Sequence, residues 1–341
     1  MKQVLSLTLD ELKGEFEEKG YKPFRANQLY TALLQGKTKE EITTLPKDFL
    51  DKLEMEYELN SLKLITKKVS SDGTVKFAFG LKDNNIIEAV LMKYKYGYTL
   101  CISTQVGCRM GCCFCASGMH GLVRDLTCGE ILSEVVFANK YLGGTVKERK
   151  ITNLVLMGCG EPLDNYDNVT KFINILTKEF NFSQRNISLS TCGLVKNIYR
   201  LADEGYKLTL TISLHAPTDE IRKKIMKVAH SYTIDEVVKA ADYYNEKAGR
   251  RIVFEYTLID GINSSFDCCD KLVERFKNKC VHINVINLNK VEEKEYSGVN
   301  KKQAYAFVDR LNKNGVSATL RRTLGEDIDG ACGQLRQKLM K

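Results

Sequence analysis

The sequence predicts an α/β fold: a partial (β/α)6 barrel preceded by a small helical domain. Three observations predict it. From about Leu126 onward, short apolar β-rich runs alternate with amphipathic helical patterns, which is the mark of βαβ units on a parallel sheet. With one further run upstream these supply six or seven strands, fewer than the eight of a closed barrel. The first sixty or so residues carry apolar side chains at three- and four-residue spacing, a helical period.

Taken in order, Leu9–Glu18, Arg25–Leu34 and Lys47–Tyr57 are predicted helices. Thr8 with Glu11 three residues on is a capping-box pattern, in which each side chain satisfies a free N–H at the helix start. Alternating runs at Thr74–Leu81, Ile86–Lys93 and Thr99–Thr104 read as strands. The later strands are Ile151–Met157, Asn186–Ser190, Lys207–Leu214, Arg251–Leu258, His282–Ile286 and Val316–Arg321. Between them lie helices at Cys128–Tyr141, Asn168–Glu179, Lys196–Glu204, Ile234–Ala248, Phe266–Lys277 and Lys301–Asn314. In the first of these, Ile131, Leu132, Val135, Val136 and Ala138 form one apolar face. The chain divides into a helical domain at 1–70, a connecting β segment at 71–93 and a barrel core at 94–341. Ligands of such a barrel sit at the C-terminal ends of its strands.

A chain of 341 residues with 43% apolar content can bury a full core. No run of about 18 apolar residues is present, so no membrane span is expected. The N-terminus carries acidic residues where a signal peptide needs an apolar stretch, which points to the cytoplasm. A net charge of +8 is compatible with a polyanionic partner. Its basic pairs, Lys67–Lys68, Arg250–Arg251, Lys301–Lys302 and Arg321–Arg322, read individually as solvated surface. Twelve cysteines in a reducing compartment point to metal binding or catalysis rather than a disulfide scaffold.

Cys108-Arg109-Met110-Gly111-Cys112-Cys113-Phe114-Cys115 contains C-x3-C-x2-C, placed just after a predicted strand. Random placement of the cysteines would give that spacing in roughly one chain in seventy. Three thiolates can hold three irons of a [4Fe–4S] cubane and leave the fourth iron open. A zinc site is the other reading, its fourth ligand being Cys113 or His120.

C-x3-C-x2-C with Phe before its last cysteine resembles the radical S-adenosylmethionine (SAM) superfamily. Cys101-Ile-Ser-Thr-Gln-Val-Gly-Cys108, Gly158-Cys-Gly-Glu-Pro162, Leu189-Ser-Thr-Cys-Gly193, Ser213-Leu-His-Ala-Pro217 and Asp327-Ile-Asp-Gly-Ala-Cys-Gly-Gln-Leu335 narrow the likeness. Together they resemble the RlmN-type dual-specificity adenine-C2 methyltransferases of 23S rRNA and tRNA. The likeness extends to Lys22-Pro-Phe-Arg-Ala-Asn-Gln-Leu29 and Leu45-Pro-Lys47 in the helical domain. Val106 and Pro162 look RlmN-like, where the related Cfr-type adenine-C8 methyltransferases of 23S rRNA usually carry Cys and Ala. The chain departs from the pattern at Cys159, at Lys227 and at Asn287-Leu288-Asn289-Lys290.

The resemblance implies a [4Fe–4S] cluster on Cys108, Cys112 and Cys115, and two SAM molecules used in turn. The first methylates Cys332 by displacement. The second yields a 5′-deoxyadenosyl radical that takes a hydrogen from methyl-Cys332. The resulting methylene radical adds to the adenine ring. Cys101 then attacks the Cys332 sulfur, forming a disulfide, while Glu88 accepts the C2 proton. For SAM itself, Gly160 and Glu161 follow the strand ending at Met157, and Ser190 ends the next. Ser213, Leu214 and His215 end the one after, and Asn289 follows Ile286. The likeness further implies 23S rRNA and tRNA as partners, an external electron donor such as flavodoxin or ferredoxin, and a monomer. The helical domain is expected to grip RNA through its phosphates. A non-catalytic iron–sulfur RNA-binding factor is the alternative of a different class; it would need neither Cys332 nor Cys101.

Overall fold

The computed structural model describes residues 1–291 and 293–335. Three helices open the chain: α1 (Leu9–Glu18), α2 (Pro23–Leu34) and α3 (Lys47–Glu56). The expected capping box is formed, with the Glu11 amide donating to Thr8 Oγ1 and the Thr8 amide to Glu11. Pro23 starts α2, where its missing N–H costs nothing. Helix lasts only to Glu56, well short of residue 70, and Lys63–Val69 is a strand. Nearly every residue of that strand is exposed, so it lacks the one-sided alternation that marks a half-buried strand in sequence.

That strand, β1, begins a sheet of ten. It is followed by β2 (Val75–Gly80), β3 (Ile86–Tyr94), β4 (Gly97–Cys101), β5 (Ile151–Leu156), β6 (Ile187–Thr191), β7 (Thr209–Ser213), β8 (Ile252–Leu258), β9 (Val281–Asn287) and β10 (Ala318–Leu320). The spatial order is the order in sequence. Strands β1 to β4 pair antiparallel. From β4 to β10 every pairing is parallel.

Parallel neighbours need crossovers, and helices supply them. They are α4 (Cys128–Tyr141), α5 (Tyr166–Glu179), α6 (Val195–Asp203), the short α7 (Asp219–Ile225) with α8 (Ile234–Ala248), α9 (Phe266–Phe276) and α10 (Lys301–Lys313). Six β/α units on an open sheet make the partial (β/α)6 barrel that the alternation predicts. Capping boxes start α4 (Thr127 with Glu130) and α8 (Thr233 with Glu236), and Gly249 in the left-handed region ends α8.

The core is continuous from the first helices into the barrel. Leu12 and Phe16 of α1, Leu29 and Leu33 of α2, and Ile131, Leu132 and Val135 of α4 belong to one buried cluster with Leu100, Leu154 and Leu189 of the sheet. Helix α4 is therefore buried on almost every side. Polar contacts fasten the same seam: Ser6 Oγ accepts from the Gly129 amide, and Lys171 and Lys178 of α5 pair with Glu11 and Asp10. No helix among the described residues is long and apolar enough to cross a membrane.

Candidate active site

The C-terminal ends of the parallel strands surround a cavity lined by Cys108, Cys112 and Cys115, by Gly160 and Glu161, and by Ser190, Ser213, His215, Asn289 and Cys332. The strand period of two explains the set: alternate residues face the barrel interior, and loops extend the last of them. Of the residues anticipated for SAM, Leu214 alone does not line the cavity. Its side chain is fully buried in the core, and its carbonyl accepts from Arg222 Nε at 3.2 Å.

The three-cysteine loop leaves β4 through a small hairpin, Gln105–Gly107 against Leu122–Asp125. Gly107 has φ 78°, and a Cβ there would run into the Gly121 carbonyl oxygen, so the hairpin requires glycine at its neck. The Cys108 amide donates to that same oxygen at 2.9 Å. Burial pushes the Cys108 thiol up to about 12, and Cys112 is raised by burial and then by the charges of Cys115 and Cys108. Three thiols gathered beside one cavity, two of them pushed up by burial, are suited to a cationic iron–sulfur core, which would favour their thiolates. Of the two fourth ligands a zinc site could draw on, Cys113 and His120, Cys113 turns its thiol toward Tyr296. Among the described residues no three His, Cys, Asp or Glu side chains converge as ligands of a single ion.

Glu161 is held by two backbone donors, the Leu163 amide at 3.0 Å and the Cys192 amide at 2.7 Å. Burial raises its carboxyl, and these bonds oppose the shift. Gly160, at φ 113°, packs against Gln105 too closely for any side chain. His215 is also in the left-handed region, φ 55°. Its Nδ1 accepts from the Thr257 amide at 3.0 Å, so Nε2 carries the proton of the neutral ring. Burial, and then the nearby Arg222, lower its pKa to about 3. Arg222 is fully buried, and its guanidinium donates to the carbonyls of Cys192 at 2.7 Å, Ser213 at 3.3 Å and Leu214 at 3.2 Å. It thereby joins the ends of β6 and β7.

A second cavity adjoins the first and is lined by Cys101, Val90, Met92, Tyr94 and the segment from Arg321 to Leu324. Cys332 lines both cavities, as do Cys115, Asn289 and Arg321. The segment carrying Cys332 is bound on two sides. The Ala116 amide donates to Gly333 O at 2.9 Å and Asn289 Nδ2 to Cys332 O at 3.0 Å. At its other end Asp327 accepts from Ser70 Oγ at 2.6 Å, and Asp72 from the Gly325 amide at 2.9 Å. All twelve cysteines are free thiols in this structure, Cys101 and Cys332 among them.

Glu88 lies on β3, buried, with Lys76 Nζ at 3.0 Å; neither cavity counts it among its walls. Lys76 also donates to Asp329 O at 3.2 Å, so the Cys332 segment covers this pair.

Two wall residues escape the sequence reading. Glu255, the one charged residue in the run Ile252–Leu258, is buried and lies 3.1 Å from Arg321 Nη1. Arg321, read from sequence as half of a surface pair, faces inward, whereas Arg322 is exposed. Burial raises the Cys332 thiol, and the Arg321 guanidinium opposes that shift. A lone carboxylate inside an apolar strand was the available signal for the pair.

Comparison with known proteins fits this geometry. A family model described as the Radical SAM superfamily matches residues 102–267. A protein of Clostridium perfringens (strain SM101 / Type A) named as a dual-specificity RNA methyltransferase, RlmN, is 47% identical across all of this chain and 98% of its own length. One of the same name from Geobacillus kaustophilus is 44% identical over 99% of this chain and 93% of its own. The chain belongs to the RlmN family of radical SAM RNA methyltransferases. A crystal structure of a radical SAM methyltransferase from Sphaerobacter thermophilus superposes with a TM-score of 0.94 at 37% identity, covering 99% of this chain and all of that one. Family membership implies an iron–sulfur cluster and SAM, and the cavity offers thiols and polar groups suited to both.

Proposed function

We propose that this enzyme methylates C2 of a specific adenosine in 23S rRNA and in tRNA, with Cys332 as the carrier of the new carbon. The observation that carries the reading is the place of Cys332 on the wall shared by two cavities. One side has the three cluster cysteines and the SAM-class residues; the other has Cys101.

In this reading Cys108, Cys112 and Cys115 hold a [4Fe–4S] cluster. Glu161, Ser190, Ser213, His215 and Asn289, with the Gly160 backbone, hold SAM. The cluster and two SAM per turnover supply a methyl group and one-electron chemistry that no side chain possesses, drawing electrons from an acidic carrier such as flavodoxin or ferredoxin. The chain's own residues do the rest. Cys332 keeps the carbon on its sulfur, between the two cavities. Arg321 steadies negative charge on that sulfur. Once the carbon is bonded to adenine C2, Glu88 takes the displaced ring proton, after the Cys332 segment has shifted from its present cover. The Cys101 thiolate attacks the Cys332 sulfur, breaking its bond to the transferred CH2; that carbon takes up a proton to become the methyl group, and the methylated base leaves a Cys101–Cys332 disulfide behind. Lysines of the N-terminal helices grip RNA phosphates.

Nucleoside mass spectrometry of 23S rRNA and tRNA, from cells lacking this protein with and without a plasmid copy, tests the proposal. Loss and return of 2-methyladenosine supports it, whereas a response of 8-methyladenosine alone moves the carbon to C8. Complementation with Cys332→Ala should restore no methylation while the purified variant keeps its iron. If Cys332→Ala does restore it, the carrier role is refuted.

A further inference from the structure

Tyr94, on the wall of the second cavity, is half of an aromatic pair that the reaction above does not use. Tyr94 closes β3 and lines that cavity with Cys101 and Cys332. Its phenol is close enough to Arg321, Cys332 and Cys101 to feel their charge. Tyr96, two residues on, lies flat against Tyr94, with ring centroids 5.0 Å apart and planes 7° apart. Tyr96 is 60% exposed. The pair therefore runs as a stack from the wall of the thiol cavity to solvent, and its outermost ring faces water.

An aromatic face left open to water has a solvation cost when nothing covers it. Here the turn holds the stack in place. Gly97 follows at φ 126°, with the Thr152 side chain where its Cβ would be. Tyr96 Oη lies 3.5 Å from Thr99 Oγ1, and Tyr94 Oη 3.7 Å from Met92 Sδ. Both rings are thus oriented before any ligand arrives. Lys93 near the end of β3 and Lys95 in the turn alternate with them in sequence, and Arg322 lies at the cavity rim; all three are exposed cations. Parallel rings with cations beside them in sequence and at the cavity rim are the residue types that receive single-stranded RNA: bases stack on rings and phosphates meet cations.

We infer that Tyr96 is a stacking platform for an unpaired base of the RNA substrate, the nucleotide beside the one that enters the thiol cavity. The inference rests on the RNA-methylation reading above and adds a residue to it. A base taken out of its stack to reach Cys332 leaves its neighbour without a partner, and the open face of Tyr96 offers one.

The test uses the full-length, cluster-loaded enzyme and a stem–loop RNA with 2-aminopurine next to the target adenosine. Binding to wild type should quench the fluorophore by stacking, and Tyr96→Leu should abolish the quench. The Leu variant should raise the KM for RNA about tenfold, in line with alanine replacements at stacking sites. Its kcat should stay within about twofold, and Tyr96→Phe, which keeps the ring, should behave as wild type. Equal KM and equal quenching in wild type and Tyr96→Leu would overturn the inference while leaving the methylation reading intact. A loss of kcat shared by the Leu and Phe variants would also overturn it, since the ring face would then not be what matters. A wild-type enzyme that methylates no RNA would overturn the functional reading, and this inference with it.

Discussion

Single residues set the chemistry of the site. In the proposed reaction Cys332 would accept a methyl group as a thiolate; burial favours its thiol, and Arg321 is the cation that opposes burial. Replacing Arg321 by Gln should shift the pH dependence of Cys332 alkylation upward and slow the reaction several-fold near neutral pH, as measured by peptide mapping after a timed iodoacetamide pulse. An unchanged profile would remove Arg321 from this role. His215 gives a second test. Its folded pKa of about 3 is below the ordinary 6.5, so the unfolded chain takes up a proton first as pH falls. Its contribution to stability is therefore complete above about pH 6.5 and is lost as pH drops toward 3. Imidazole 15N shifts of His215 should stay those of the neutral Nε2–H tautomer from pH 8 to pH 5. A titration in that range would show the ring to be solvated rather than walled in by Phe114, 5.0 Å away, and the Thr257 amide.

At the scale of elements, loops that follow strands carry the three-cysteine motif and Cys332, while Glu88 and Cys101 sit on β3 and β4, and a few backbone constraints hold the loops. The hairpin Gln105–Gly107 with Leu122–Asp125 aims the three-cysteine loop. Gly107→Ala would force a β-carbon against the Gly121 carbonyl, at a positive φ that alone costs about 1–2 kcal/mol. We expect it to lower the melting temperature and the iron bound per chain after reconstitution. Gly121→Ala is the matched control: φ is 73°, but nothing lies within 4 Å of the added carbon. It should show the backbone cost with most of the iron retained. Equal losses in the two variants would mean that the close approach at Gly107 does not matter. This scale was largely legible in the sequence. The helix at Cys128–Tyr141 was found because Ile131, Leu132, Val135, Val136 and Ala138 recur at the helical period, and the strand at Ile86 because it is a short β-rich apolar run; the structure buries that strand on both faces. Strand β1 was not, because an exposed edge strand has no buried face to pattern.

Across the whole molecule, the first helices are not an appendage. Leu12 and Phe16 share a core with Leu100 and Leu154 of the sheet, so deleting residues 1–60 would strip the cover from α4 and confound any binding measurement. Point changes are the sounder test of an RNA-gripping role. Lys22 and Lys47 are exposed, at or beside the starts of α2 and α3. Lys22→Glu with Lys47→Glu should leave the melting temperature unchanged and weaken RNA binding severalfold at low salt. The deficit should shrink as salt rises, since counterion release drives phosphate contacts. Affinity that matches wild type at every salt concentration would place RNA on another face.

Taken alone, the sequence determined the alternation of strand and helix, the three-cysteine loop after β4 and the family, because periodicity and motif spacing are local properties of a chain. It also marked Glu161, His215 and Asn289 by their places after strands. Only the tertiary structure decided that Cys332 lies on a wall common to two cavities, that Arg321 turns inward onto Glu255 while Arg322 does not, and that Leu214 belongs to the core. Those outcomes depend on which face of a strand or loop meets groups far away in sequence, and no local pattern encodes the direction of a side chain relative to a partner brought close only by folding.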